Sequence, residues 1–453
     1  MAKVEHNQNP DVQNPDVQAR DTFHTKWGFI LACIGSAVGM GNVWLFPYRV
    51  GQFGGAAFLI PYFFFVIIIG FTGVVGEMSF GRKMRRGPHG SFAKAVEMRG
   101  KDGRIGEWIG MIPVLGSLAL AIGYSVVMGW IIRFTVGSLT GSAFNNTDSG
   151  AYFGSIAGSF GSISWQLIGL AICFIIMAVG ISSGIEKVNK VMMPLFFALF
   201  VILAIRVSTL PGSGDGYRFM FIPKWDALLR PKTWVFALGQ AFFSLSLAGS
   251  GTLVYGSYLK DSEDIISSAK NVALFDTIAA MLASLVILPA VFVYGLDPAS
   301  GPPLMFITMP EVFKQMPLGN LFMIIFFVAV FFAGTTSLIN LFEAPIETLQ
   351  SKFGFSRNKA VWSIAAVAAI IGVFIEGIVG GWMDVVSIYV LPLGALLAGI
   401  MFFWVCGPKF ARDAAQVGRK KPIGAWFEPM SRYVFCGLTL AVYLLGIFYG
   451  GIG

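Results

Sequence analysis

Residues 35–49, GSAVGMGNVWLFPYR, place small and polar residues inside a strongly apolar run. Gly39-Met40-Gly41 should break a helix, because glycine is a poor helix former. A broken helix exposes N–H groups that attract a carboxylate and C=O groups that bind a cation. Asp276 lies inside another apolar run, where an ionisable group is expensive and is a functional candidate. These residues predict a site for an anion and a small hard cation together, such as an amino acid and sodium.

A second apolar run, ALGQAFFSLSLAGSGTLVYGSYL, is interrupted at residues 248–251. Glycine also serves close helix packing in membranes, and this chain contains 55 glycines, so one such break would favour packing. The two breaks open two corresponding sets of five apolar segments. Matching breaks in two halves indicate an inverted repeat with a substrate site near the bilayer midplane.

The elements that must position this site are membrane helices. The chain of 453 residues is 56% hydrophobic and 12% charged, and its mean hydropathy is +0.73. Apolar segments of about 20 residues, the length that crosses a bilayer, recur throughout. We predict an all-α polytopic membrane protein with eleven spans, at 27–48, 53–80, 110–137, 165–183, 190–210, 233–258, 271–295, 318–350, 361–379, 382–406 and 432–449. Spans 1–5 and 6–10 form the inverted repeats, with spans 1 and 6 broken.

The net charge of +8 is distributed as the positive-inside rule requires. Most Lys and Arg, including the clusters at 82–86 and 419–421, fall in alternate loops, which places the N-terminus in the cytoplasm and the C-terminus outside. We therefore expect a plasma-membrane protein whose charges orient it and contact anionic lipid, and no nucleic-acid partner. We expect residues 1–20 to form a polar, disordered cytoplasmic tail and residues 21–453 to form one transmembrane domain, with repeats at about 27–210 and 233–406 and an extra span at about 432–449.

No arrangement of residues supports an enzyme or an ATP-driven pump. The three histidines are scattered, and the four cysteines lie within spans without CxxC spacing. No catalytic residue is assigned.

The motifs closely resemble the neurotransmitter:sodium symporters. The resemblance rests on GSAVGMGNVWLFPYRVGQFGGAAFLIPY in span 1, EMSFGR after span 2, the span 6 segment above and FFAGTTS in span 8. It implies sodium-coupled uptake of a small molecule by alternating access between two sides of the membrane.

The resemblance also implies two sodium sites built from oxygen ligands, which a hard cation prefers. The first uses the backbone of Ala37 and the side chains of Asn42, Ser244 and Asp276. The second uses backbone oxygens of Gly35, Val38 and Ala333 and the hydroxyls of Thr336 and Ser337.

The implied substrate site lies beside them. The substrate carboxylate would meet the N–H groups near Met40 and Gly41 and the phenol of Tyr124. Gly39 stands where monoamine transporters of the family have Asp, which favours a substrate with its own carboxylate. Phe243 would close over the substrate. The other substrate-binding residues that the resemblance implies are Ala37, Leu120, Ser244, Ser246, Gly249, Ser337 and Leu341. Gly249 stands where a larger residue occurs in the family, which enlarges a pocket that is otherwise mostly apolar. The resemblance therefore implies a hydrophobic or aromatic L-amino acid, although Gly249 could serve backbone geometry alone.

Chloride dependence and gating follow from departures from the family pattern. Chloride-dependent members carry a serine where this chain has Ala280. The Asp276 carboxylate could supply the negative charge that chloride supplies in those members, so we expect transport without chloride. Leu45 replaces the usual outer-gate Arg, which leaves Arg49 as the hypothetical partner of Asp384. Arg20 matches an inner-gate arginine.

Other functions stay open from sequence alone. One is a proton-coupled or exchanging amino-acid transporter of the same fold, although the hydroxyls of Thr336 and Ser337 favour sodium. A transport-dead amino-acid receptor and a channel are the others. We expect a monomer or weak oligomer.

Overall fold

The computed structural model describes residues 22–247, 250–297 and 304–452, and these residues form helices and connecting turns without β-strands. The predicted tail, Arg20 and Gly249 lie outside the described residues. The membrane helices are α1 (Lys26–Ala37), α2 (Gly41–Gln52), α3 (Ala56–Met84), α4 (Gly103–Leu139), α5 (Ile163–Val179), α6 (Ile181–Ser208), α7 (Pro231–Ser244), α8 (Gly251–Ser257), α9 (Ile265–Val293), α10 (Gly319–Phe353), α11 (Arg357–Ile375), α12 (379–406) and α13 (Phe427–Tyr449).

These helices correspond to the eleven predicted spans. In the described chain, seven continuous stretches are long and apolar enough to cross a bilayer, and the bent pair α1 and α2 adds an eighth. One stretch, Arg357–Cys406, has 50 residues and contains a 3₁₀ turn at Glu376–Ile378, so α11 and α12 count as two spans. The shorter α5 and the interrupted pair α7 and α8 are the others.

The chain forms two repeats of five spans, and α13 is the eleventh span. Because each repeat has an odd number of spans, the second starts from the opposite side of the membrane and is inverted. Each repeat opens with a broken span. Helix α1 meets α2 at 52°, and α7 ends seven residues before α8 begins, with Ser246 and Ser250 at positive φ. The first break lies beside α9 and α10 and contacts α4 through Tyr124, and the second break contacts the first through the bond from Ser246 Oγ to the Ser36 carbonyl oxygen.

Shorter helices lie in the connections, at Pro88–Glu97, Ser149–Ala157, Ser213–Phe221, Met309–Lys314 and Pro408–Gln416. The connections that follow α8 and α12 are held together by Arg82 at the end of α3. Its guanidinium is buried and donates to the carbonyl oxygens of Glu263, Ala414 and Val417 at 2.7, 2.9 and 2.9 Å. Arginine suits this position because its planar group presents several donors in fixed directions.

Candidate functional site

The first break leaves carbonyl groups of α1 without helical partners. The last bond of the helix runs from the Val38 N–H to the Ile34 carbonyl at 2.7 Å, after which Val38 adopts an extended conformation. Among the described residues, no backbone N–H bonds to the carbonyls of Gly35, Ala37 or Val38. Helix C-terminal carbonyls carry partial negative charge. These three predicted sodium ligands are therefore chemically suited to a cation.

The other side of the break presents N–H donors. The Gly39 N–H donates to Asn42 Oδ1 at 3.1 Å, and the Met40 N–H donates to the Tyr124 hydroxyl at 3.1 Å. The Gly41 N–H has no acceptor in the described part of the chain. An N–H group and a phenol that lie together can both donate to a carboxylate, as predicted for Met40, Gly41 and Tyr124.

The predicted side-chain ligands of the first sodium site form one buried cluster. Asn42 Nδ2 donates to Asp276 Oδ1 at 2.7 Å, and Ser244 Oγ donates to Asp276 Oδ2 at 2.7 Å. All three side chains are at most 1% exposed. Within residues 22–247, 250–297 and 304–452, no Lys or Arg pairs with Asp276. A buried carboxylate without a positive partner is costly, so this oxygen-rich cluster fits a cation.

The predicted residues of the second sodium site also lie together. A Cβ built on Gly35 would lie 3.2 Å from Thr336 Oγ1, which places this hydroxyl beside the end of α1. Thr336 donates to the Ala333 carbonyl at 3.2 Å, and Ser337 Oγ lies 3.5 Å from the Ser36 carbonyl oxygen. Helix α10 thus brings its hydroxyl pair and the predicted carbonyl ligand Ala333 against the end of α1.

A cavity of about 460 Å³ adjoins the break. Of the predicted substrate residues, the cavity is lined by Ala37, Gly39, Met40, Gly41, Leu120, Tyr124, Phe243, Ser246, Ser337 and Leu341. Ser244 lies behind this wall, in the Asp276 cluster. Aromatic residues Trp44, Trp130 and Phe153 extend the lining away from the break. The cavity is therefore mostly apolar, with polar groups at the break and others, Asp384 and Ser387, among its lining.

The cavity reaches the surface at Asp384 and Gly380, both exposed. The proposed partner Arg49 does not pair with Asp384 among the described ion pairs. Its guanidinium lies 4.5 Å from the centre of the Phe236 ring and donates to Gln52 Oε1 at 2.9 Å. The Arg49–Asp384 contact stays a prediction for a conformation in which this vestibule closes.

The opposite end of α1 is closed. Phe23 packs edge-on against Phe29 and Tyr255, with ring centres 5.4 and 5.5 Å apart. The buried carboxylate of Glu186 on α6 accepts bonds from the N–H groups of His24 and Thr25 at 2.7 and 3.2 Å. The central site is therefore accessible from the Asp384 side and sealed on the side of the N-terminal segment.

Three residues near the site were missed from sequence. Tyr62 donates to Ser244 Oγ at 3.3 Å, and Gln240 donates to the Gly41 carbonyl at 3.1 Å. Asn340 lines the cavity. A polar residue inside an apolar span is the signal that marks Gln240 and Asn340, but nothing in the local pattern tells which helix each side chain faces.

Comparisons with known proteins agree with this architecture. The sequence profile of the sodium:neurotransmitter symporter family matches residues 20–150 and 151–445. The sodium-dependent transporter YhdH of Bacillus subtilis is 36% identical over 77% of this chain and 77% of its own length. The sodium-dependent transporter MJ1319 of Methanocaldococcus jannaschii is 30% identical over 94% of this chain and 90% of its own.

The solved structure of MhsT in complex with L-phenylalanine superposes with a TM-score of 0.84 at 32% identity, covering 94% of this chain and all of that one. The fold, the paired breaks and the sequence agreement over nearly the whole chain lead to one conclusion. This multi-pass membrane protein is a sodium-dependent transporter, not an enzyme, and it belongs to the sodium:neurotransmitter symporter family.

Proposed function

We propose that this protein carries a hydrophobic or aromatic L-amino acid into the cell together with sodium, by alternating access and without chloride. The observation that carries the proposal is the position of the Asp276 cluster beside the donors of the broken helix. Asn42 belongs to the cluster and also accepts from the Gly39 N–H. A substrate carboxylate at the donors would thus lie next to a cation at the cluster.

The substrate class is supported by the shape and lining of the cavity. Polar groups lie at the break, where the carboxylate would bind, and the apolar part of the wall contains Leu120, Phe243 and Leu341. An apolar wall favours an apolar side chain, because burial of its surface is favourable. MhsT, solved with L-phenylalanine, is similar over nearly the whole chain.

Two sodium ions are proposed, one at each oxygen-rich cluster. Sodium at the first cluster would attract the substrate carboxylate, and the carboxylate would attract sodium, so each should raise the affinity for the other. The Asp276 carboxylate would supply the negative charge at this position, which is why chloride should be unnecessary. The accessible end at Asp384 would face the outside, with the N-terminus in the cytoplasm of a cell whose plasma membrane holds the protein.

The test is uptake of labelled amino acids into proteoliposomes that carry an inward sodium gradient. Each assay would add one unlabelled competitor, chosen from phenylalanine, tryptophan, leucine, glycine and glutamate. We expect the large apolar amino acids to compete best and uptake to persist when gluconate replaces chloride. Uptake driven by a proton gradient without sodium would instead establish the proton-coupled alternative. Saturable binding without accumulation would establish the receptor.

A further inference from the structure

Asn189 lies on α6 and is not among the predicted ligands of either sodium site. Its side chain is fully buried, and its Oδ1 atom has no hydrogen-bond donor in the described part of the chain. Buried polar atoms in proteins nearly always have a partner, so an unpaired amide oxygen in the centre of a membrane protein requires an explanation.

The orientation of this amide is fixed by its other end. Asn189 Nδ2 donates to the Ile185 carbonyl oxygen at 2.8 Å. Since a carbonyl oxygen can only accept, the nitrogen must occupy that position, and Oδ1 must point the other way. The unpaired atom is therefore an oxygen, the atom type that a hard cation prefers.

Asn189 Oδ1 points at the end of α1. A Cβ built on Gly35 would lie 2.1 Å from Asn189 Oδ1, 2.9 Å from Thr336 Cβ and 3.2 Å from Thr336 Oγ1. The amide oxygen and the Thr336 hydroxyl thus converge on the same face of Gly35, whose carbonyl has no backbone donor in the described chain. Any side chain at position 35 would occupy the space that they share.

We propose that Asn189 Oδ1 is a further ligand of the sodium ion held by Gly35 and Thr336, which attaches α6 to that ion. This inference rests on the proposed second sodium site. It adds to that site an oxygen from a helix that otherwise contributes none, and it gives the unpaired amide its partner.

The position of Asn189 links the ion to the sealed end of the molecule. Three residues earlier on α6, Glu186 accepts the N–H groups of His24 and Thr25, and a Cβ built on Gly28 would lie 2.1 Å from its Oε1. Glu186 therefore holds the start of α6 against the segment that precedes α1, and sodium bound by Asn189 would add a second connection between α6 and α1.

The inference is tested by direct sodium binding in the absence of amino acid. Purified wild type, Asn189→Ala, Asn189→Asp and Thr336→Ala would be titrated with ²²Na⁺ and by the rise in unfolding temperature with sodium. An ion contact of this kind is comparable to a charge-assisted hydrogen bond, so Asn189→Ala should raise the half-saturating sodium concentration about tenfold. Asn189→Asp keeps the oxygen and adds charge, so it should match or improve on the wild-type affinity. Asn358→Ala, at an exposed position on α11, is the matched control and should change nothing.

The outcomes separate this inference from the proposed function. If wild type shows no sodium dependence, or Thr336→Ala leaves it unchanged, the second sodium site itself is wrong. If Thr336→Ala weakens sodium binding and Asn189→Ala does not, Asn189 is not a ligand. If Ala and Asp weaken binding equally, Asn189 acts only through its bond to Ile185, which also overturns the proposal. Should Asn189→Ala not fold, Asn189→Asp and Asn189→Ser replace it, with Ser expected to lose affinity and Asp to keep it.

Discussion

The substitution Asp276→Asn removes the charge of the first cluster while nearly preserving its size. In the wild type, both carboxylate oxygens accept bonds of 2.7 Å, from Asn42 and Ser244. An amide at this position can accept with only one atom, and its NH₂ group would then face the Ser244 hydroxyl, which donates in the wild type. The Ser244 hydroxyl can rotate to accept from the amide, so the cluster should stay assembled but neutral.

The size of the effect follows from this geometry. The attraction between the carboxylate and the sodium ion is lost, which is about 4 kcal/mol for unit charges about 4 Å apart at an effective dielectric constant of 20. Relief of the burial penalty of Asp276 offsets part of this loss. We expect sodium binding to weaken by about 2 to 4 kcal/mol, which is about 30-fold to 1,000-fold in sodium concentration.

Sodium-driven uptake of phenylalanine into proteoliposomes, measured against sodium concentration in chloride and in gluconate, reports this change. Wild type and the control Asp413→Asn, at an exposed position, should be indifferent to chloride. The double variant Asp276→Asn/Ala280→Ser should recover uptake only in chloride. Chloride held by the added hydroxyl, one helical turn away, would then supply the negative charge that Asp276 has lost. Wild-type uptake that collapses in gluconate, or an Asp276→Asn variant with unchanged sodium dependence, would refute the reasoning.

Three further substitutions test other parts of the molecule. Gly39→Ala places a Cβ 2.8 Å from Ser337 Oγ and 3.2 Å from the Tyr124 hydroxyl oxygen, and crowding of about 1 to 3 kcal/mol should raise KM for the amino acid about 5-fold to 150-fold in uptake assays. Tyr124→Phe removes one hydrogen bond to the carboxylate, so KM should rise about tenfold with little change in kcat. Burial alone would raise the pKa of Glu311, but bonds from Ser149 and Lys314 bring it below its ordinary value. Glu311 therefore stabilises the fold above about pH 4.5 and less as pH falls below it, so Glu311→Gln should lower the unfolding temperature at pH 7 and have a diminishing effect below pH 4.

The glycine breaks were predictable from sequence because their signal is local. Gly39 and Gly41 interrupt an apolar run that is otherwise long enough to span a membrane, and glycine is a poor helix former. The same applies to Asp276, whose charge contrasts with its neighbours. The family motifs then assigned partners to these positions, and the structure brings Asn42, Ser244 and Asp276 into contact.

The contribution of the surrounding helices was not predictable in this way. Asn189 and Tyr62 reach the site from α6 and α3, and their roles depend on which face of each helix turns inward. In α3 apolar residues cover all faces, and in α6 they show little preference for one face, so periodicity does not identify the inner one. Arg49 is a related case, because its position along the helix allowed contact with Asp384, whereas the nearby Phe236 ring and Gln52 hold it elsewhere. Only the packing of side chains decides between such partners.

The carboxylate of Asp276, which has no positively charged side chain beside it in the described part of the chain, has a consequence for the electrical work of transport. With the proposed two sodium ions and zwitterionic amino acid bound and Asp276 ionised, this central site would bear one net positive charge, and when empty with Asp276 ionised it would bear one negative charge. Each charge that crosses the membrane field exchanges about 2.3 kcal/mol per 100 mV. A membrane potential that is negative inside therefore draws the loaded site inward and drives the empty site back outward. The protein's own charge lets the potential act on both halves of the cycle, so the return step without cargo should also speed up as the membrane is polarised.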